Sequence, residues 1–185
     1  LASAVISYIL VKVCMKLVNL KQKLTKKDMI CKLKVINNEK CVNLNALLDT
    51  GNLLTDPITK EPVVIIELEK IRQIIPEKQI NKIEYMLGGD VILESSTYDT
   101  RIRAIPYVSV GNKSGLMVAY KVDCIEVEYQ GEINVLDNVL VGFYKEALTK
   151  NGKYSALIGL KILERGKIKN ESNTDIEDKG KYSVC

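Results

Sequence analysis

The stretch that most restricts how this chain folds is Ala46-Leu47-Leu48-Asp49-Thr50-Gly51-Asn52. A short apolar run bounded by turn residues reads as a buried strand. This one carries a single carboxylate to its end, and a small hydroxyl residue and a glycine follow at once. A carboxylate in that place is costly unless it is paired, hydrogen-bonded or protonated. Gly51 lets the chain turn sharply and lets another group approach closely. Asp, Thr and Gly are also ordinary turn residues. The rest of the chain has to decide between a plain turn and a reactive site.

The flanks predict a strand-rich domain. Residues 31–36 alternate apolar and polar, as a half-exposed strand does, and Asn37-Asn38-Glu39-Lys40 supplies a hairpin turn. Residues 41–48 then form the return strand that delivers Asp49. Asp56-Pro57 marks a further turn, and 63–66 (Val-Val-Ile-Ile) a second buried strand. Residues 67–75 and 76–87 have helical spacing, which Gly88-Gly89 ends. Further strands are expected at 91–93, 101–110, 116–122, 125–129 and 133–143. Arg101 and Arg103 read as a solvated strand face. The loop 111–115 contains glycine but lacks Gly-Lys-Ser/Thr and a following helix, so it reads as a hairpin turn rather than a phosphate cradle. Late in the chain Ala156-Leu157-Ile158-Gly159 runs straight into a helix-like Leu160-Lys161-Ile162-Leu163.

Composition removes most catalytic chemistries. The chain has no histidine, which excludes Ser-His-Asp triads, Cys-His dyads and histidine-based zinc or iron sites. Five cysteines at irregular spacing, with no Cys-x-x-Cys, suggest free thiols in a reducing compartment. Residues 1–40 hold nine lysines and two acids, a local +7 in a chain of net +4. Basicity so confined points to a membrane surface and not to nucleic acid. Residues 1–18 begin with eleven uncharged positions and then meet Lys12 and Lys16. They read either as the cytoplasmic end of a transmembrane helix or as an amphipathic surface helix. Residues 19–29 follow as a basic linker, 30–165 as the folded domain, and 166–185 as a polar tail expected to be disordered.

With these elements placed, the chain resembles the aspartic proteases, whose active-site tripeptide is Asp-Thr-Gly after an apolar strand. In the retroviral type a late apolar-apolar-Gly before a helix packs behind the catalytic loop, as Leu157-Ile158-Gly159 would here. The closer resemblance is to the sporulation sigma-E factor-processing peptidases, the stage II sporulation protein GA family. It rests on Leu47-Leu48-Asp49-Thr50-Gly51-Asn52-Leu53-Leu54-Thr55-Asp56-Pro57, on Pro62-Val63, and on Arg103-Ala104-Ile105-Pro106-Tyr107-x-Ser109-Val110-Gly111. Gly115-Leu116-Met117 and Ala156-Leu157-Ile158 add to it.

The resemblance implies a mainly β, retropepsin-like closed barrel with a few helices, preceded by the end of a transmembrane helix. It implies a membrane-associated aspartic endopeptidase on the cytoplasmic, mother-cell side of the sporulation septum, cutting the pro-sequence from the sigma-E precursor. Asp49 would be the catalytic acid, with Thr50, Gly51 and Asn52 supporting its loop. Asn52 stands where retroviral-type enzymes carry Ala or Ser, and its amide is within reach of Asp49 in that reading. Tyr107 and Gly111 would belong to a substrate-covering flap, Tyr107 being equally readable as a strand-core aromatic. Only one Asp-Thr-Gly is present, so two copies would have to meet as a homodimer. No metal or other cofactor is called for, and no nucleic acid. The rival reading is a non-catalytic, membrane-proximal interaction domain in which Asp49 caps a turn. A Ser-Lys hydrolase has no placed pair.

Overall fold

The computed structural model describes residues 29–88, 100–109 and 112–168, together with Tyr8, Val11, Lys12 and Met15, which are helical. The strands are β1 Ile30–Asn37, β2 Lys40–Leu48, β3 Val63–Glu67, β4 Ile102–Ser109, β5 Asn112–Lys121, β6 Cys124–Tyr129, β7 Glu132–Asp137, β8 Leu140–Tyr144, β9 Ala156–Ile158 and β10 Lys167–Ile168. The helices are α1 Leu68–Ile71, continued by a 3-10 turn Arg72–Ile74, then α2 Glu77–Leu87 and α3 Leu160–Arg165.

Local chemistry explains the hairpins. Asn38 and Glu39 both have positive φ, as do Gln130 and Gly131. That is the backbone twist two-residue hairpins require, and it pairs β1 with β2 and β6 with β7. Asn138 also has positive φ, which breaks residues 133–143, expected as one strand, into β7 and β8. The two halves part company: β7 stays with β6, while β8 pairs with β3 and β5.

The ten strands among the described residues form one mixed sheet in the order β10-β7-β6-β1-β2-β9-β3-β8-β5-β4. β2 runs parallel to β9 and β3 parallel to β8, and the other pairs are antiparallel. The closed barrel expected from the resemblance is corrected here. Closure requires the first and last strands to pair with a consistent stagger, and β10 and β4 each have a single neighbour among the described residues. The sheet is open.

Alternation along the strands sorts the core onto two faces. Val64 and Ile66 of β3, Val118 and Tyr120 of β5, and Val141 and Phe143 of β8 join the main core with α1, α2 and Ile162 of α3. Val63, Ala119 and Leu140, one position out of phase, form a small second cluster with Ile105, and Leu54 packs against it. Leu54 belongs to the loop after Asp49, so this second face of the sheet is the one that carries the candidate site.

Several expectations lie outside the described residues: the strand at 91–93, the basic linker, most of residues 1–18, Gly111 and the end of the chain. Among the described residues no helix is long and apolar enough to cross a membrane. Lys167 and Ile168, assigned from sequence to the polar tail, pair with Val135 and Asn134. Arg101 lies in the turn before β4, and its partly exposed side chain is also paired: Nη1 lies 3.2 Å from Asp123 Oδ1 and donates to Asn37 Oδ1 and Tyr120 Oη. The free-thiol reading also needs correction. Cys31 is a free, buried thiol, but Cys41 is disulfide-bonded.

Candidate active site

Asp49 is the first residue past the end of β2, and the neighbouring strand β9 ends level with it, Leu48 opposite Ile158. The Asp49 N–H donates to the Ile158 carbonyl at 2.8 Å, which extends the parallel ladder one step into the loop. The Asp49 side chain is half-buried. Its Oδ1 accepts the Gly51 N–H at 2.9 Å, and its carbonyl accepts the Asn52 N–H at 3.0 Å. Hydrogen bonds to an ionised carboxylate are among the stronger ones in proteins, so the turn holds the carboxylate in one orientation. Thr50 and Gly51 are exposed. Gly51 does not have positive φ. Its lack of a side chain matters through crowding, since a Cβ there would sit 3.3 Å from Asp49 Oδ1.

The loop then crosses the end of β9 to reach β3. Gly159 makes the crossing possible: a Cβ on it would lie 2.5 Å from the Asn52 carbonyl oxygen, far inside contact distance. Beyond the crossing, Asn52 Nδ2 donates to the Val63 carbonyl at 3.3 Å and Asn52 Oδ1 accepts the Leu54 N–H at 3.2 Å. The Val63 N–H returns to the Leu54 carbonyl at 3.0 Å. The expectation that the Asn52 amide reaches Asp49 is therefore corrected: its side chain braces the loop against β3. Val63 was quoted in the motif, but nothing in the sequence shows that its backbone serves this loop. The usable signal was Asn52 itself, a side chain longer than a simple turn needs.

Asp56-Pro57 forms the next turn. Asp56 Oδ1 accepts the Ile58 N–H at 2.9 Å, and the Asp56 backbone bonds to Glu61 and Lys60. Asp56 is 2% exposed. It supplies no second carboxylate to Asp49 that the structure displays on a common surface.

Tyr107 sits on β4, half-buried, opposite Gly115 of β5. Its ring lies across Gly115, where any Cβ would overlap it. By strand alternation Tyr107 shares its face with Ile105, on the side of the sheet that carries Leu54. The β4–β5 hairpin ends the sheet, and Val108 and Leu116 near its tip are exposed. Leu53, in the loop beside Asp49, is 72% exposed. Among the described residues no three His, Cys, Asp or Glu side chains gather as metal ligands would.

Residues 1–162 match the family described as sporulation factor SpoIIGA, a peptidase family. A "putative sporulation sigma factor-processing peptidase" of Bacillus thuringiensis subsp. kurstaki is 33% identical over 137 residues, 74% of this chain and 85% of that protein. The "sporulation sigma-E factor-processing peptidase" of Priestia megaterium is 28% identical over 147 residues, 78% of this chain and 48% of that protein. The protein of the same name from Bacillus subtilis is 28% identical over 134 residues, 71% and 43% respectively. The chain thus spans about half the length of two of these relatives. No solved structure matches it. With the family model covering most of its length, the chain belongs to the SpoIIGA family of sporulation factors.

Proposed function

We propose that this chain is the catalytic half of an aspartic endopeptidase, with Asp49 as the reacting carboxylate. The observation that carries the reading is a carboxylate at the end of a core strand, oriented by the Gly51 N–H and seated on a loop that Gly159 lets cross β9. The chemistry takes two carboxylates about 3 Å apart that share a proton. One copy provides one, so a twofold homodimer would bring the two Asp49 side chains together. Exposed Thr50 and Leu53 are the loop residues free to meet a second copy or the substrate.

In that dyad the ionised Asp49 takes a proton from water as the water oxygen bonds to the scissile carbonyl carbon. The protonated Asp49 donates to the carbonyl oxygen. Collapse of the tetrahedral species breaks the C–N bond, and the amine nitrogen leaves with a proton from the pair. No covalent enzyme intermediate forms. The β4–β5 hairpin, with the Tyr107 ring lying over Gly115 on the site's face, serves as the flap over the substrate.

The substrate we infer is the sigma-E precursor, cut near its N-terminus, because the relatives' names specify processing of that factor. The lysine-rich residues 12–27 favour attachment to a membrane with the protease domain on the cytoplasmic side. The test is cleavage of purified sigma-E precursor by wild type and Asp49→Asn, with the oligomeric state followed by sedimentation. Wild-type cleavage by a dimer, and loss in Asp49→Asn, is the expected result. Full activity in Asp49→Asn, or in a strict monomer, sinks the reading.

A further inference from the structure

Sheet order sets a mechanical problem at the site. Asp49 leaves β2, the loop must arrive at β3, and β9 stands between them. The crossing is made at Asn52. Its carbonyl lies over Gly159 at the end of β9, its N–H is held by the Asp49 carbonyl at 3.0 Å, and its side-chain amide lands on the Val63 carbonyl at the start of β3. A single residue thus touches the reacting residue's backbone and both of the strands beyond it.

We infer that Asn52 is a positioning residue: a strap that fixes Asp49 relative to β3 and β9, acting through the backbone and not through contact with the carboxylate. The two halves of the amide do different things. Oδ1 closes a local turn by accepting the Leu54 N–H, a bond that any short oxygen-bearing side chain can supply. Nδ2 makes the long-range tie to Val63, eleven residues on, and only a side chain of this length with a donor reaches it. Small displacements of a reacting group cost rate far more than they cost binding. Loss of the tie should therefore appear in kcat.

This inference rests on the proposed protease reading, and the experiment separates the two. The full chain is assayed on the sigma-E precursor as wild type, Asn52→Ala, Asn52→Ser and Asp49→Asn, and amide hydrogen exchange is followed at Gly51 and Leu54. Serine keeps a turn acceptor for the Leu54 N–H but is too short for Val63. Both Asn52 variants should lose about 10- to 100-fold in kcat, as a misplaced reacting group does, with KM within about threefold. Leu54 exchange should accelerate in Asn52→Ala and stay slow in Asn52→Ser, while Gly51 exchange rises in both. A kcat for Asn52→Ser within twofold of wild type, or a loss expressed in KM alone, overturns the strap. If Asn52→Ala does not fold, Asn52→Ser decides by the same criterion. Activity in Asp49→Asn would instead sink the protease reading, and the Gly51 exchange rates would still decide whether Asn52 braces the loop.

Discussion

Two turns seven residues apart are built alike and set in different surroundings. At Asp49 the side-chain Oδ1 accepts the N–H of Gly51, and at Asp56 it accepts the N–H of Ile58, each at 2.9 Å. The local chemistry is the same: an aspartate oxygen mimicking a backbone carbonyl two residues on. What differs is the second oxygen. Asp49 is half-buried at the end of a core strand, open on the side where Thr50 and Leu53 are exposed. Asp56 is 2% exposed, and its Oδ2 is buried with no partner among the described residues. A motif can therefore set a turn without setting a role; the surface around the spare oxygen decides that.

The same substitution at both turns breaks the comparison most sharply. Asp49→Asn should abolish precursor cleavage, a loss of 10³-fold or more, since it removes the proton-transfer group, with the melting temperature unchanged within about 2 °C. Asp56→Asn should leave kcat within about threefold, because Asn retains the turn acceptor. In Asp56→Ala the lost turn bond, about 1 kcal/mol, is offset by removal of an unpaired buried oxygen that costs about 1–3 kcal/mol. Its stability should stay within about 1 kcal/mol of wild type, as measured by urea unfolding. An inactive but folded Asp56→Asn would mean the two turns share the chemistry after all.

Two glycines extend the contrast from the loop to the hairpin. A Cβ at Gly159 would press on the Asn52 carbonyl, which is backbone and held on both sides. A Cβ at Gly115 would press on the Tyr107 ring, which can turn aside. Gly159→Ala should destabilise by about 1–3 kcal/mol, as overpacking does, lowering the melting temperature by several degrees and kcat with it. Gly115→Ala should cost about 1 kcal/mol or less and act on KM, by moving Tyr107. Equal effects of the two on kcat would remove the distinction between a rigid crossing and an adjustable hairpin.

What could be read from the sequence was whatever is local. The β1–β2 hairpin, the strand that carries Asp49, the helix ended at Gly88 and the strand-to-helix step at Gly159 all announce themselves within a few residues. Asn138 was legible in principle as a turn residue, yet the apolar run on either side of it outweighed it. Strand order was not legible, because parallel pairs such as β2 with β9 join residues more than a hundred positions apart, and no local pattern encodes whether ends meet. The closed barrel came from the resemblance alone, and an open sheet forms instead. Long-range polar contacts escaped for the same reason. Asn52 to Val63 and Arg101 to Asn37, Tyr120 and Asp123 each join a polar residue to a partner that only the fold brings near.

The smallest expected effect concerns β1, which lies beside the Asp49 strand in the sheet. Cys31 is opposite Ala46 and its Sγ donates to the Ala46 carbonyl at 3.3 Å. Burial pushes this thiol up from 9.0 to about 11, against the weaker pull of a backbone hydrogen bond. The raised value means that the folded protein favours the thiol form more than the unfolded chain does. That stabilisation is present in full below pH 9 and is lost as pH rises towards 11. Because the thiolate is the nucleophile, Cys31 should resist alkylation by iodoacetamide at pH 8 in the native protein and react readily once unfolded in urea. Unlike Asp49, which is half-buried at the end of the strand, Cys31 is a titratable group enclosed by the same strand pair. Rapid native-state alkylation at Cys31 would show that β1 and β2 open together, and with them the foundation of the Asp49 turn.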